Sequence, residues 1–99
     1  MVSVIIVNWN GINYIQKCLD GLRAQTYRDF FIIMLDNASQ DGSLEIVQKN
    51  YPEVKILAQS ENIGFSAANN LALKSVNTEY VAFLNNDAVP HPTMFGMTP

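Results

Sequence analysis

Ninety-nine residues, 48% of them hydrophobic and 15% charged, suffice for one domain with a single modest core and describe neither a disordered nor a fibrous chain. A net charge of −3, with no cluster of Lys or Arg, excludes the basic footprint that a nucleic-acid partner requires. The single cysteine, Cys18, excludes an internal disulfide and points to a reducing compartment, the cytoplasm, including its periphery at the inner membrane face.

Met1 leads into an apolar run with no basic segment before it, so no signal peptide is expected. The longest apolar run, Phe30 to Leu35, is far short of a membrane span. Val2 to Val7 reads as a buried, β-branched strand that gives way to Asn8-Trp9-Asn10-Gly11. From Ile12 to about Gln25, Tyr14, Ile15, Cys18, Leu19 and Leu22 recur at helical spacing. Cys18 falls on the apolar face and is read as a small buried hydrophobe. Phe30 to Leu35 is a second buried strand, ending in Asp36-Asn37-Ala38-Ser39. Asp41 suits the N-cap of a helix from about Gly42 to Asn50, with Leu44, Val47 and Tyr51 on one face and Pro52 stopping it.

Val54 to Ala58 is a short third strand, and Gly64 to Val76 a third helix whose first turn is small apart from Phe65. Small side chains there allow either close helix-on-sheet packing or approach of an anion to the helix N-terminus. Tyr80 to Leu84 is a continuous apolar run, the pattern of a strand buried on both faces of a parallel sheet, and it changes abruptly to Asn85-Asn86-Asp87. No element is expected from Ala88 to Pro99, where His91 is read as solvent-exposed. The order β-α-β-α-β-α-β demands a parallel sheet with right-handed crossovers, an α/β fold.

Three strands end in polar clusters, Asn8 to Asn10, Asp36 to Ser39 and Asn85 to Asp87. In a parallel sheet these ends share one edge, where α/β proteins bind ligands. Asp36 suits a base N–H or a ribose hydroxyl. Asp87, beside the amide of Asn85, suits Mg²⁺ or Mn²⁺ shared with a diphosphate. One glycine after the first strand, Gly11, provides neither a dinucleotide fingerprint nor a P-loop, and no nucleophile elbow, Cys/His pair or histidine metal set is present.

The stretches VSVIIVNWNG, IIMLDNASQDGS, ENIGFSAANN and YVAFLNNDAV resemble, in order and spacing, the N-terminal half of family 2 glycosyltransferases of the GT-A fold, over residues 2 to 92. The resemblance implies a Rossmann-like parallel sheet of order 3-2-1-4 with flanking helices, and a UDP- or dTDP-linked sugar donor at its carboxyl edge. It places Val7, Asn8 and Asn10 along the base and ribose, and Asp36 at the acidic position that recognises the base. Asn62, Asn85 and Asn86 join the nucleotide-binding set. Asp87 becomes the metal ligand of a D-x-D-type motif. Asn37 stands where many members have a second Asp, and Asn85 where Asp is common. The D-N-A-S and N-N-D motifs look like those of bacterial rhamnosyltransferases and related cell-surface polysaccharide enzymes.

The implied reaction is an inverting transfer to a glycan acceptor, in which a carboxylate base deprotonates the acceptor hydroxyl. Nothing after Asp87 fits that base, and Asp20, Asp29, Glu45, Glu53, Glu61 and Glu79 fall where surface solvation is the natural reading. Residues 1–99 are therefore expected to be a donor-binding domain cut short of its acceptor-binding half. The alternative is a catalytically inactive nucleotide-binding or oligomerising α/β fragment. Either way, strand four is expected to present an outer edge that invites a homodimer.

Overall fold

Residues 1–91 are described by a computed structural model, and its centre is β1, Val2–Asn8. The chain continues through α1 (Ile15–Arg23), β2 (Phe30–Asp36), α2 (Ser43–Asn50), β3 (Val54–Ala58), α3 (Phe65–Leu73) and β4 (Tyr80–Asn85). All strand pairs are parallel and the order is β3-β2-β1-β4, as expected. The stretch from 92 to 99, the end of the segment for which no element was expected, lies outside the described residues. Among the described residues no helix is long and apolar enough to cross a membrane.

Strand alternation divides the core in two. Val4, Ile6 and Met34 pack with Cys18, Leu19 and Leu22 of α1 and Val47 of α2. Ile5, Ile33 and Leu35 pack on the other face against Ala68 and Ala72 of α3. The two alanines are the small side chains that let α3 lie close to the sheet. Cys18 is fully buried as expected, and burial foremost, with Asp87 second, pushes its thiol up to about 11. It is therefore an inert hydrophobe at neutral pH.

Each helix is shorter than its periodicity suggests, for local reasons. The carbonyl of Gly11 accepts from the N–H groups of both Tyr14 and Ile15, so residues 12–14 form a turn ahead of α1. At the other end of the chain α3 stops at Leu73, because the N–H groups of Lys74, Ser75 and Val76 each bond three residues back and Ser75 Oγ donates to the Ala72 carbonyl. Strands β1, β2 and β4 run one residue further than expected, while β3 has the expected bounds: Asn8 pairs with Asp36 and Val7 with Asn85, so the first polar residue of each cluster is still a rung of the ladder.

Two expectations are corrected. Strand β4 is not buried on both faces: Phe83 is 57% exposed and Tyr80 is exposed as well, because among the described residues β4 has only β1 beside it and α3 packs over β1 and β2. Several carboxylates read as merely solvated are partnered. Glu53 grips Arg23 through both oxygens, at 2.5 and 2.9 Å, and the Arg23 guanidinium lies 4.3 Å from the centre of the Tyr51 ring. The Tyr51 hydroxyl donates to Asp20 at 2.7 Å, and burial first, then Asp20, pushes it up to about 12. This clasp ties α1 to the end of α2.

Asp41 caps α2 from one residue further out than expected, since Gly42 takes the left-handed φ of 88° and the helix starts at Ser43. Asp41 Oδ1 accepts from the backbone N and Oγ of Ser43 at 3.0 and 2.6 Å, while Oδ2 accepts from Ile12 N at 2.9 Å. Burial opposes its ionisation, but the Ser43 and Ile12 donors outweigh burial and hold its pKa below the usual value. Asp41→Ala is expected to cost about 1–2 kcal/mol in denaturant unfolding. Because the folded pKa is depressed, this stabilisation is complete above about pH 4 and is lost as pH falls through the folded value. Asp41→Asn should lack that acid-induced loss.

Candidate functional site

The parallel register sets Asn8 beside Asp36, and Val7 beside both Leu35 and Asn85, so the three polar strand ends meet on one edge of the sheet. There they border an open cleft of about 450 Å³. Five of the expected residues line it: Val7, Asn62, Asn85, Asn86 and Asp87. Trp9, Asn37, Gly64 and Phe65 complete the wall. Trp9 holds its indole 56% exposed between two asparagines. Strand alternation is the signal for it, because Val7 and Trp9 fall on one face and Asn8 and Asn10 on the other. The same parity separates Asn37, with Leu35, from Asp36, with Met34.

Asn8, Asn10 and Asp36, also expected along the nucleotide, are not among the residues that line the cleft. Asn8 and Asp36 are fully buried, and their polar atoms are engaged inside the protein. Asn8 Nδ2 donates to Asp36 Oδ1 at 2.9 Å, Ser43 Oγ at 3.0 Å and Ser39 Oγ at 3.3 Å. Asp36 also accepts from the backbone N and Oγ of Ser39, at 2.9 and 2.7 Å. Asn10 is exposed with φ 50°; its N–H donates to Ser39 Oγ and its Oδ1 accepts from Gln40 N. These three residues shape the loop between β2 and α2 behind the cleft.

The wall before α3 is equally fixed. Asn37 Oδ1 accepts from Ile63 N at 3.0 Å and its Nδ2 donates to the Gly64 carbonyl at 3.2 Å. Asn62 Oδ1 accepts from Gly64 N at 2.8 Å. Gly64 has φ 86° and ψ 166°, a conformation essentially restricted to glycine. In contrast, the side chains of Asn85 and Asp87 make no hydrogen bond to any described residue. Among the described residues no three His, Cys, Asp or Glu side chains gather as a metal site. One unpaired carboxylate beside an amide fits a cation that completes its shell with phosphate oxygens, and does not fit a resident metal held by protein alone.

A Rossmann-like α/β domain with an amide-rich cleft at its carboxyl edge is the class that these features define. The sequence matches Glycosyl transferase family 2 over residues 3–97. It is 38% identical over 95 residues to glycosyltransferase AglE of Haloferax volcanii, covering 91% of this chain and 31% of that protein. It is 36% identical over 97 residues to the uncharacterized glycosyltransferase YibD of Escherichia coli, covering 95% of this chain and 28% of that one. The structure superposes on S. aureus TarS 1–349 in complex with UDP-GlcNAc with a TM-score of 0.87 at 29% identity, over 96% of this chain and 29% of that one. On the mannosyltransferase PcManGT of Pyrobaculum calidifontis, in complex with GDP-Man and Mn²⁺, the TM-score is 0.85 at 27% identity, over 93% and 29%. The chain belongs to glycosyl transferase family 2. It spans less than a third of the length of each of these relatives.

Asp36→Ala would leave buried donors of Asn8 and Ser39 without their acceptor, so it is expected to destabilise the fold by about 1–3 kcal/mol in urea unfolding. A ligand-contacting role would instead leave the unfolding midpoint unchanged.

Proposed function

We propose that this chain is the donor-binding domain of a glycosyltransferase, holding a nucleoside-diphosphate sugar in the cleft at the carboxyl edge of the sheet. The observation that carries the reading is the juxtaposition in one cleft of the exposed Trp9 indole, the Asn85 amide and the Asp87 carboxylate, the last two unpartnered. An indole face suits a nucleobase, and base-on-aromatic stacking is worth about 1–3 kcal/mol. Asp87 would hold Mg²⁺ or Mn²⁺ against the diphosphate. Such a cation neutralises the charge that develops on the departing nucleoside diphosphate. Asn62 and Val7 complete the donor wall, and the first turn of α3 begins at Phe65 on the same wall, where its dipole favours an anion.

The likeness to TarS and PcManGT, described with UDP-GlcNAc and with GDP-Man and Mn²⁺, supports a nucleotide sugar and adds GDP to the UDP and dTDP expected from the sequence. Inverting transfer to a polysaccharide or other cell-surface glycan, with rhamnose as one donor sugar, is the whole-protein activity we attach to this site. Calorimetric titration with UDP, dTDP and GDP, each with and without Mn²⁺, tests the donor site. Metal-dependent binding of one of them is expected. Asp87→Ala should abolish the metal-dependent part, and Trp9→Ala should weaken binding by roughly 5–150-fold, the equivalent of one lost stacking contact. Equal binding by both variants and wild type would refute the site.

The oligomerising alternative is favoured by one feature, the exposed Phe83 on a strand with no outer neighbour among the described residues. Unpaired apolar edges pair with other copies. Sedimentation equilibrium is expected to show a concentration-dependent dimer, which Phe83→Lys converts to monomer while leaving nucleotide binding unchanged.

A further inference from the structure

Asn85, Asn86 and Asp87 are consecutive and all border the cleft, yet among the described residues only the middle side chain has a hydrogen-bond partner. Asn86 Nδ2 donates to Asn8 Oδ1 at 3.1 Å, across 78 residues of sequence. We infer that Asn86 is a positioning residue, one that fixes the turn carrying Asp87 through the buried amide of Asn8. This rests on the donor-site reading of the cleft and adds to it a role distinct from ligand contact.

Asn8 is fully buried, and its Nδ2 is committed to Asp36, Ser39 and Ser43. Its Oδ1 takes the Asn86 amide, so the turn after β4 is coupled to the loop between β2 and α2 through one side chain. Gly11 closes over this contact: a Cβ at residue 11 would overlap both Asn8 Oδ1 and Asn86 Nδ2. The backbone adds a second restraint, since Ala88 N donates to the Asn85 carbonyl at 3.0 Å and closes the turn locally. Asn85, by contrast, is a rung of the ladder opposite Val7, on the face of the sheet away from Asn8 and Asp36.

Replacing Asn86 by Asp separates positioning from ligation. A second carboxylate beside Asp87 would strengthen metal binding if residue 86 faced the cation. If it acts by donating to Asn8, Asp removes the donor and opposes two oxygens. In calorimetry with Mn²⁺ and the nucleotide that wild type binds, Asn86→Asp and Asn86→Ala are both expected to weaken the metal-dependent affinity by roughly 10–100-fold, the loss usual for a group that orients a metal ligand. In ligand-free amide NMR spectra, both substitutions and Gly11→Ala should shift the Ser39 and Ser43 signals while circular dichroism remains that of wild type. Tighter metal-dependent binding by Asn86→Asp, or unchanged binding and unchanged Ser39 and Ser43 signals in Asn86→Ala, would overturn the inference alone. Failure of wild type to bind any nucleotide with Mn²⁺ would overturn the donor-site reading together with it.

Discussion

A buried amide at the end of the central strand must find all of its partners inside the protein, because leaving one polar atom unsatisfied costs about 1–3 kcal/mol. Asn8 is that amide. Its partners come from the end of β2, the following loop, the first residue of α2 and the turn after β4. Satisfying one side chain therefore positions four segments that the sequence keeps far apart. Asp36 gains equally: its buried carboxylate receives the Asn8 amide and both donors of Ser39. Among the described residues no buried side-chain polar atom is left without a partner. Networks of this kind rigidify when complete and destabilise when any member is lost.

The sheet order and the convergence of the three polar strand ends are legible in the sequence, because continuous apolar runs alternating with helical periodicity admit few topologies. Which polar residues face the cleft was legible too, through a signal that the motif pattern obscures. In strands with aligned register, a period of two runs through all three ends at once. Val7, Asn37 and Asn85 fall toward α3 and line the cleft, whereas Asn8 and Asp36 fall on the face toward α1 and α2. Reading Asn-Trp-Asn as one undivided polar cluster passed over Trp9, which lines the cleft. An indole between two asparagines at a strand end is the residue that alternation singles out.

Other features depend on tertiary context that no local pattern carries. The Tyr51, Asp20, Arg23 and Glu53 clasp joins side chains some thirty positions apart, each of which reads by itself as an ordinary surface or helix-face residue. The start of α1 is delayed because the carbonyl of Gly11 serves two donors and Ile12 N is held by Asp41. The apolar run of β4 correctly marks a strand, but burial is a property of neighbours. With β1 alone beside it among the described residues and α3 packed over β1 and β2, Phe83 stays exposed.

The charge of the cleft bears on what it can hold. Asp87 is its one carboxylate, and no lysine or arginine lines it among the described residues. A diphosphate brought into such a wall meets one negative charge and several neutral amides. At an effective dielectric near 20, two unit charges 4 Å apart interact by about 4 kcal/mol, enough to outweigh stacking of one base on Trp9. A divalent cation between Asp87 and the phosphates reverses the sign of that interaction with one ligand exchange. The first turn of α3 contributes only a partial charge. In the proposed donor site, the metal and the nucleotide would each be a poor ligand without the other, and the placement of Asp87 would decide how well the pair is held. On the proposed reading, the Asn86 to Asn8 hydrogen bond that holds this turn would therefore bear on both.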